Sequence, residues 1–302
     1  MFLAACAATV CACGGGGGEL SNEQPPRFAV LSAFPAEGQP IFDQGTVQST
    51  VEINGQTFRI GTLGGVQVIT GLTGIGLANA AATTGALLDQ FDVTGIVVSA
   101  VAGSNQRIGD VVVPATWSLS DGSTFSAHAL WFGLASDLEA HGKLALDNCT
   151  LEPADMTKQV CLDFAPLVLV GGKGTSTDGT NGSVAMACQT NPSPPFADVF
   201  GCDVAPEDPS MGGVSTEPVA PGGPVAIAAS ASTVSDMETA AIAREATKRG
   251  VPFIAFRATS DGAGDPLMLP GFPTEFFVYY RLAAHNAAAA AIAFVEHFAG
   301  AP

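Results

Sequence analysis

Continuous apolar runs alternate with amphipathic stretches along much of the chain. Residues 27–34 form a short apolar run, and residues 94–103 form a longer one without any charged residue. Between them, residues 76–91 are rich in alanine and place apolar residues at helical spacing, which predicts a helix. A third apolar run follows at residues 110–117. Strand, helix and strand at this spacing predict a βαβ unit, and therefore an α/β domain.

Residues 46–74 follow a different pattern, in which β-branched residues alternate with polar ones. The pattern is interrupted twice, at Asn54-Gly55 and at Gly64-Gly65. Both pairs are typical of tight turns between antiparallel strands, so this stretch predicts two β-hairpins.

The regular pattern is lost over residues 118–225. Prolines, glycines and four cysteines gather there, and only residues 165–173 resemble a core strand. An unstructured stretch of this length inside a domain is usually functional or cross-linked. We interpret it as an irregular insertion into one α/β domain that spans residues 27–302.

Regular elements return after the insertion. Residues 235–250 predict a helix, with a serine or aspartate N-cap, basic residues in the last turn and Gly250 as the stop. Residues 251–261 follow as a strand whose apolar part ends near Phe256. Residues 281–300 predict a closing helix.

The N-terminus has the composition of an export signal. Residues 1–13 are apolar but too few to cross a bilayer, and residues 14–26 form a glycine-rich polar linker. Residues 10–13 resemble a bacterial lipoprotein cleavage box in which Cys13 is lipidated, and residues 3–6 form a competing box. We therefore expect an exported protein, periplasmic or anchored to the membrane by lipid.

Composition narrows the classes of partner. The 302 residues carry 11 basic and 28 acidic side chains, a net charge of −17, and 47% of them are hydrophobic. A nucleic-acid surface needs clustered lysine and arginine, so this balance argues against one. It indicates a soluble acidic protein with a substantial core.

Four cysteines of the irregular region are candidates for disulfides: Cys149, Cys161, Cys188 and Cys202. Their number is even, and four cysteines allow three pairings among which the sequence does not choose. No CxxC pair or neighbouring histidine indicates zinc, and no metal or other cofactor is expected. The alternative is four buried thiols.

Three acidic residues fall at the ends of predicted strands or at the start of a helix. They are Glu37, Glu238 and Asp261, and ligands of open α/β sheets gather at the carboxyl ends of strands. Each also has a structural explanation, as a solvated loop residue, a helix-capping carboxylate and a turn cap respectively. Together they favour a polar site without defining its reaction.

Five motifs carry a family resemblance. They are VLSAFPAEGQPI, TGIGLANAAATTGALL, VVSAVAGSNQRIGDVVVP, SDMETAAIA and FIAFRATSDGAG, in order over residues 28–117 and 235–300. Together they resemble the nucleoside phosphorylase and nucleosidase superfamily, most closely its methylthioadenosine/S-adenosylhomocysteine nucleosidase branch. The resemblance implies a three-layer α/β fold with a twisted, mixed, partly barrel-like central sheet. It also implies a homodimer.

The resemblance implies two catalytic carboxylates. Glu37 matches the glutamate that activates the attacking water, and Asp261 matches the acid that assists departure of the purine at N7. This chemistry suits the residue types, because a base deprotonates water on one side while an acid neutralises the leaving base on the other.

It also implies four residues that bind the substrate or order the site. Met237 matches the methionine that packs on the ribose, and Glu238 matches the glutamate that binds the ribose hydroxyls. Arg257 and Ser260 match residues that position the catalytic aspartate or close the site around it.

Two departures from the family bear on the reaction and the substrate. Phosphorylases of the superfamily hold phosphate with arginines, but Val97-Val98-Ser99 occupies one such place, which favours hydrolysis. Residues 171–179, which should place an aromatic ring under the base, contain none. The ring would then come from Phe125, Trp131, Phe196 or Phe200, any of which fits the core equally well.

The sequence therefore predicts an exported N-ribohydrolase of purine nucleosides, with 5′-methylthioadenosine or S-adenosylhomocysteine-like substrates. A purine nucleoside phosphorylase, or a nucleoside-binding or storage protein without turnover, is the alternative.

Overall fold

A computed structural model describes residues 27–138, 144–152, 155–178, 186–204, 225–227 and 232–299. The proposed signal segment, its lipidation site Cys13 and the linker up to residue 26 lie outside the described residues. In the described part of the chain, no helix combines the length and the hydropathy needed to cross a membrane.

The described elements alternate along the chain. The helices are α1 (Pro35–Gln44), α2 (Leu77–Gln90), α3 (Ala129–Ser136), α4 (Ala197–Phe200), α5 (Thr239–Lys248) and α6 (Thr274–Ala299). The strands are β1 (Arg27–Ser32), β2 (Gly45–Ile53), β3 (Gln56–Leu63), β4 (Val66–Leu72), β5 (Val93–Arg107), β6 (Val111–Val113), β7 (Thr116–Leu119), β8 (Thr124–Ser126), β9 (Cys149–Glu152), β10 (Asp155–Cys161), β11 (Val168–Val170), β12 (Lys173–Ser176), β13 (Val225–Ile227), β14 (Thr233–Asp236) and β15 (Phe253–Ala263).

One mixed sheet dominates the described fold. Its main path runs β13-β11-β6-β15-β5-β1-β4-β3-β2, with β7, β8, β12 and β14 branching from it. Strand β5 is parallel to both β1 and β15, and its far end pairs antiparallel with β14. The long strand β5 therefore lies at the branch of the sheet, where elements distant in sequence converge.

Helices cover both faces of the sheet and complete three layers. Val97 and Val101 of β5 face the core under α1, α3 and α6, whereas Ile96 and Val98 face the core under α2 and α5. This division follows from the alternation of side chains along a strand. Because both faces are buried, β5 has the continuous apolar pattern seen in the sequence. The three-layer α/β fold is confirmed.

The hairpin predictions are confirmed. Asn54 and Gly55, with φ of 51° and 73°, join β2 to β3, and Gly64 and Gly65, with φ of 58° and 85°, join β3 to β4. Positive φ at both central residues matches the right-handed twist of the paired strands, and these residue types tolerate it.

Three element boundaries differ from the prediction. Helix α5 begins only at Thr239, because the Asp236 carboxylate accepts hydrogen bonds from the amides of Glu238 and Thr239 at 3.2 and 3.3 Å and so ends β14. Strand β15 does not end near Phe256 but continues to Ala263, because the longer strand β5 stays paired with it over that length. Helix α6 begins seven residues early, because its aromatic first turns pack into the core despite modest helix propensity.

The region predicted as an irregular insertion is more ordered than its sequence indicates. It contributes short strands to the central sheet and a separate hairpin formed by β9 and β10. Two disulfides cross-link it, Cys149–Cys161 across the hairpin and Cys188–Cys202 around α4. The disulfide prediction is confirmed with this pairing, and the alternative of buried thiols is wrong.

Candidate active site

The second half of β5 brings the predicted site residues together. The amide of Val101 donates to Glu37 Oε1 at 2.8 Å, and its carbonyl accepts a hydrogen bond from Arg257 Nη1 at 2.8 Å. The carbonyl of Ala102 accepts a hydrogen bond from the Ser260 hydroxyl at 3.3 Å. Two consecutive residues of one strand thus hold groups from α1 and β15 through backbone atoms alone.

Glu37 is deeply buried in the first turn of α1. Pro35 starts this helix, and the Glu37 side chain is held on its second oxygen by the amide of Ala33 at 2.7 Å. Burial raises the pKa of Glu37 to about 8, the nearby Glu238 contributes in the same direction, and Arg257 opposes the rise. A carboxyl with this pKa can exchange its proton close to neutral pH, which is a property that a general base requires.

Glu238 lies buried at the N-terminus of α5. Its Oε1 accepts a hydrogen bond from the Gly76 amide at 2.9 Å, and its Oε2 is 3.5 Å from Arg257 Nη2. Gly76 has φ of 100°, a conformation that favours glycine and that points its amide at the carboxylate. Burial raises the pKa of Glu238 to about 7, against the lowering effect of Arg257 and with a further rise from Asp236.

Arg257 is fully buried and lies on the Glu238 side of the site. Its Nη2 is 2.7 Å from Asp236 Oδ2, and its Nε donates to the Thr239 hydroxyl at 2.9 Å. Trp117 lies beside the guanidinium, with the ring centre 6.0 Å away. Its partners belong to β5, β14 and α5, so Arg257 orders the Glu238 end of the site and makes no hydrogen bond to Asp261.

Asp261 lies half-buried on β15, where the pairing with β5 shifts register around it. The Ser260 hydroxyl donates to its Oδ1 at 2.8 Å. A Cβ atom added to the opposite residue, Gly103, would lie 2.6 Å from Asp261 Oδ2, so the carboxyl fills the space that a side chain would need. Burial raises the pKa of Asp261, and the Ser260 hydrogen bond opposes this.

Two acidic residues were missed as parts of the site. Asp236 was interpreted from sequence only as one possible helix cap, although it is also the ion-pair partner of Arg257. Glu275, in the first turn of α6, accepts a hydrogen bond from the Gly262 amide at 2.9 Å. Burial raises the pKa of Glu275, the Gly262 bond opposes the rise, and Asp265 and Asp261 add to it. Because α6 was predicted to begin at residue 281, the sequence did not place Glu275 in the first turn of a helix.

The aromatic candidates fall into different environments. Trp131 packs against Phe28 and Phe298 and belongs to the core under α6. Phe200, from the disulfide-linked segment, instead lines an apolar cleft together with Phe34, which precedes α1. Phe196 packs on the first turns of α6, and Phe125 is half-buried near α5. Met237 is half-buried at the turn between β14 and α5.

Arg59, the first basic residue after Glu37, and Arg107, at the end of β5, are both bound to carboxylates. Arg59 pairs with Asp203 at 2.8 Å, and Arg107 pairs with Asp110 at 3.0 Å. Each is also stacked on a phenylalanine ring. Within the described ranges, histidine, cysteine, aspartate and glutamate side chains form no group of three or more that would hold a metal ion.

A model of the Phosphorylase superfamily matches residues 27–154 and 214–296 of this chain. The uncharacterized protein Rv2293c of Mycobacterium tuberculosis is 32% identical over 197 residues, which cover 60% of this chain and 80% of that protein.

Solved structures that share the fold include the following two. The 5′-methylthioadenosine/S-adenosylhomocysteine nucleosidase of Neisseria meningitidis, in complex with methylthio-immucillin-A, matches with a TM-score of 0.57 and 16% identity over 90% of this chain and 99% of that one. The futalosine hydrolase of Helicobacter pylori matches with a TM-score of 0.57 and 18% identity over 90% and 98%. At these identities the likeness establishes the fold.

Proposed function

Because this chain belongs to the phosphorylase superfamily, we propose that its buried site hydrolyses the N-glycosidic bond of a purine nucleoside. The observation that carries the proposal is the convergence on β5: Val101 binds Glu37, and Gly103 faces Asp261. Glu238 is linked to the same strand by Arg257, which contacts the Glu238 carboxylate and donates a hydrogen bond to the Val101 carbonyl. The first candidate substrates are 5′-modified adenosines of the methylthioadenosine and S-adenosylhomocysteine type, the substrates named for one of the structural neighbours.

In the proposed reaction, Glu37 takes a proton from water as the water oxygen bonds to C1′ of the sugar. The bond from C1′ to the base nitrogen breaks, and its electron pair moves into the base. Asp261 gives a proton to the base at N7, and solvent returns the Glu37 proton to Asp261 after release. Glu238 and Met237 hold the sugar so that water and ring are oriented for attack.

The ionisation of the site fits these roles. A base with a pKa of about 8 is ionised in part at neutral pH, so turnover should rise as the pH approaches 8. The raised pKa of Asp261 favours its protonated form, which an acid requires. Burial, the first cause of both shifts, thus suits both groups to proton transfer.

Hydrolysis is favoured over phosphorolysis by the arrangement of cations. Phosphate needs cationic donors that are not already neutralised. Arg59 and Arg107 are paired with Asp203 and Asp110, and Arg257 is paired with Asp236.

A nucleoside-binding protein without turnover is the second candidate. It is favoured by the segment that lacks the expected aromatic ring. Residues 173–176 form β12, where Gly174 packs against Trp117 and the Ser176 hydroxyl binds Asp236, so these residues serve the sheet.

We also propose a homodimer, from the nucleosidase resemblance, and an exported protein anchored through Cys13, from the composition of residues 1–26.

The test is base release from a panel of purine nucleosides, with and without phosphate. We expect release that does not depend on phosphate. Release only with phosphate would contradict hydrolysis, and purine binding without any release would favour the binding protein.

Asp261→Asn tests the assignment of the acid. We expect turnover to fall by about 100-fold while binding of the nucleoside changes little. The matched control is Asp92→Asn, at an exposed position before β5, which should behave as wild type. Unchanged turnover in Asp261→Asn would show that another group protonates the base.

A further inference from the structure

Arg257 lies between two buried carboxylates and is not shared equally between them. Its Nη2 is 2.7 Å from Asp236 Oδ2 but 3.5 Å from Glu238 Oε2. The shorter distance is that of a charge-assisted hydrogen bond, and the longer one is at its limit. Asp236 is therefore the main counter-ion of the arginine.

The Asp236 carboxylate is saturated with donors from the protein. Besides Arg257, it accepts hydrogen bonds from the hydroxyls of Ser176 and Thr239 and from the amides of Glu238 and Thr239. Because this carboxylate is buried on β14 and already accepts these hydrogen bonds, it has no hydrogen-bonding capacity left for a ligand.

The Glu238 carboxylate, in contrast, is buried with few partners. Its one hydrogen bond of ordinary length comes from the Gly76 amide at 2.9 Å, the contact with Arg257 is long, and the Met237 amide acts on it more weakly than Gly76. Buried carboxylates usually have their hydrogen-bonding capacity filled, because desolvation without compensation is costly. The unfilled capacity of Glu238 suits a ligand that brings hydroxyl donors.

We propose that Asp236 is a positioning residue, which binds Arg257 and thereby leaves the Glu238 carboxylate free for the sugar hydroxyls of the substrate. The identity of that ligand rests on the function proposed above. The electrostatic arrangement itself is a property of the ligand-free protein and is measured without substrate.

Other charged groups near Glu238 are few. Glu37 faces it from α1, and Asp178, after β12, accepts a hydrogen bond from the Leu77 amide, next to Gly76. Neither of these carboxyls is hydrogen-bonded to Asp236, and both are retained in a variant at that position. A shift in the titration of Glu238 in such a variant therefore reports on Asp236 and Arg257.

The experiment is the substitution Asp236→Asn, with titration of the glutamate carboxyls followed by ¹³C NMR. The Glu238 signal is identified by its loss in Glu238→Gln. The asparagine removes a negative charge and releases Arg257 toward Glu238, and both changes lower the pKa of Glu238. We expect its titration to move down by about one pH unit or more. An unmoved titration in a folded variant would overturn the proposal.

Ser176→Ala is the matched control. It removes a hydrogen bond to the same carboxylate and leaves the ion pair in place, so a merely structural role of Asp236 predicts similar behaviour for both variants. We expect both to unfold at lower temperature, but only Asp236→Asn to move the Glu238 titration. An equal shift in both would contradict the proposal.

The wild-type protein provides a test that does not depend on folding of a variant. If Arg257 were the direct counter-ion of Glu238, that carboxyl would titrate below its ordinary range near 4.5, whereas the proposal requires titration well above it.

Steady-state kinetics separate this proposal from the proposed function. For a nucleoside that the wild type hydrolyses, Asp236→Asn should raise KM at least about 10-fold, with a smaller change in kcat. A shifted titration in a protein that hydrolyses no nucleoside would retain the electrostatic arrangement and reject the reaction. Turnover with an unshifted Glu238 titration would retain the reaction and reject the electrostatic arrangement.

Discussion

The two ends of the site differ in how firmly their carboxylates are held. Glu37 is 1% exposed, and both of its oxygens are bound by backbone amides, one from β5 and one from Ala33, directly after β1. Asp261 is half-buried at the rim of the sheet and has one partner, the hydroxyl of its neighbour Ser260. The end proposed for water is fixed by the fold, and the end proposed for the base depends on side chains.

This difference indicates where the site can change at little cost. A carboxylate bound by backbone amides keeps its place as long as the strands stay paired, whereas one bound by a hydroxyl depends on that residue and on the space around it. Under the proposed function, the end that activates water can therefore stay constant while the accepted base changes.

The largest effect is expected at the fixed end. Glu37→Gln removes the proposed base, so kcat/KM for base release should fall by about 100-fold to 10,000-fold, without loss of nucleoside binding. Glu52→Gln, on the exposed face of β2, is the control and should retain activity. A Glu37→Gln variant as active as the control would mean that water is activated elsewhere.

A smaller effect is expected from crowding the adaptable end. Gly103→Ala places a Cβ atom 2.6 Å from Asp261 Oδ2, so the carboxyl must move, and turnover should fall by about 10-fold. Gly133→Ala, in α3 with nothing within 4 Å of the added Cβ, controls for the substitution itself. Equal kinetics for both variants would show that the site tolerates displacement of Asp261.

The smallest effect concerns stability and pH. The folded-state pKa of Glu37, about 8, lies above its ordinary value of 4.5, so the stability linked to its protonation is complete below pH 4.5 and is lost as the pH rises through 8. Glu37→Gln has no such loss. Its Tm relative to the wild type should therefore increase from pH 5 to pH 9, by at least about 3 °C. The offset is measured by thermal unfolding at both pH values, and a constant offset would mean that Glu37 is ionised throughout.

The sequence predicted most of the architecture because the local residue patterns and the tertiary packing favour the same helices and strands. The apolar pattern of β5, the glycine-containing turns at residues 54–55 and 64–65 and the periodicity of α2 each matched their surroundings. The start of α6 was mispredicted because its aromatic residues form helix only through burial against the core.

The site was less predictable than the fold. Motifs identified Glu37, Glu238 and Asp261, whose proposed chemical roles depend on residue type. They did not reveal that Arg257 binds Asp236, or that Glu275 holds the turn after Asp261, because those contacts join elements separated in sequence. The pairing of the four cysteines was unpredictable for the same reason.

The contacts that β5 makes through backbone atoms have a consequence for how this site can evolve. Val101 and Ala102 bind Glu37, Arg257 and Ser260 with an amide and two carbonyls, which every residue except proline at position 101 provides. Exchange among small apolar residues there should leave the framework intact. Drift in the sequence of this strand is then compatible with a constant geometry of the candidate site, while the residues around it change.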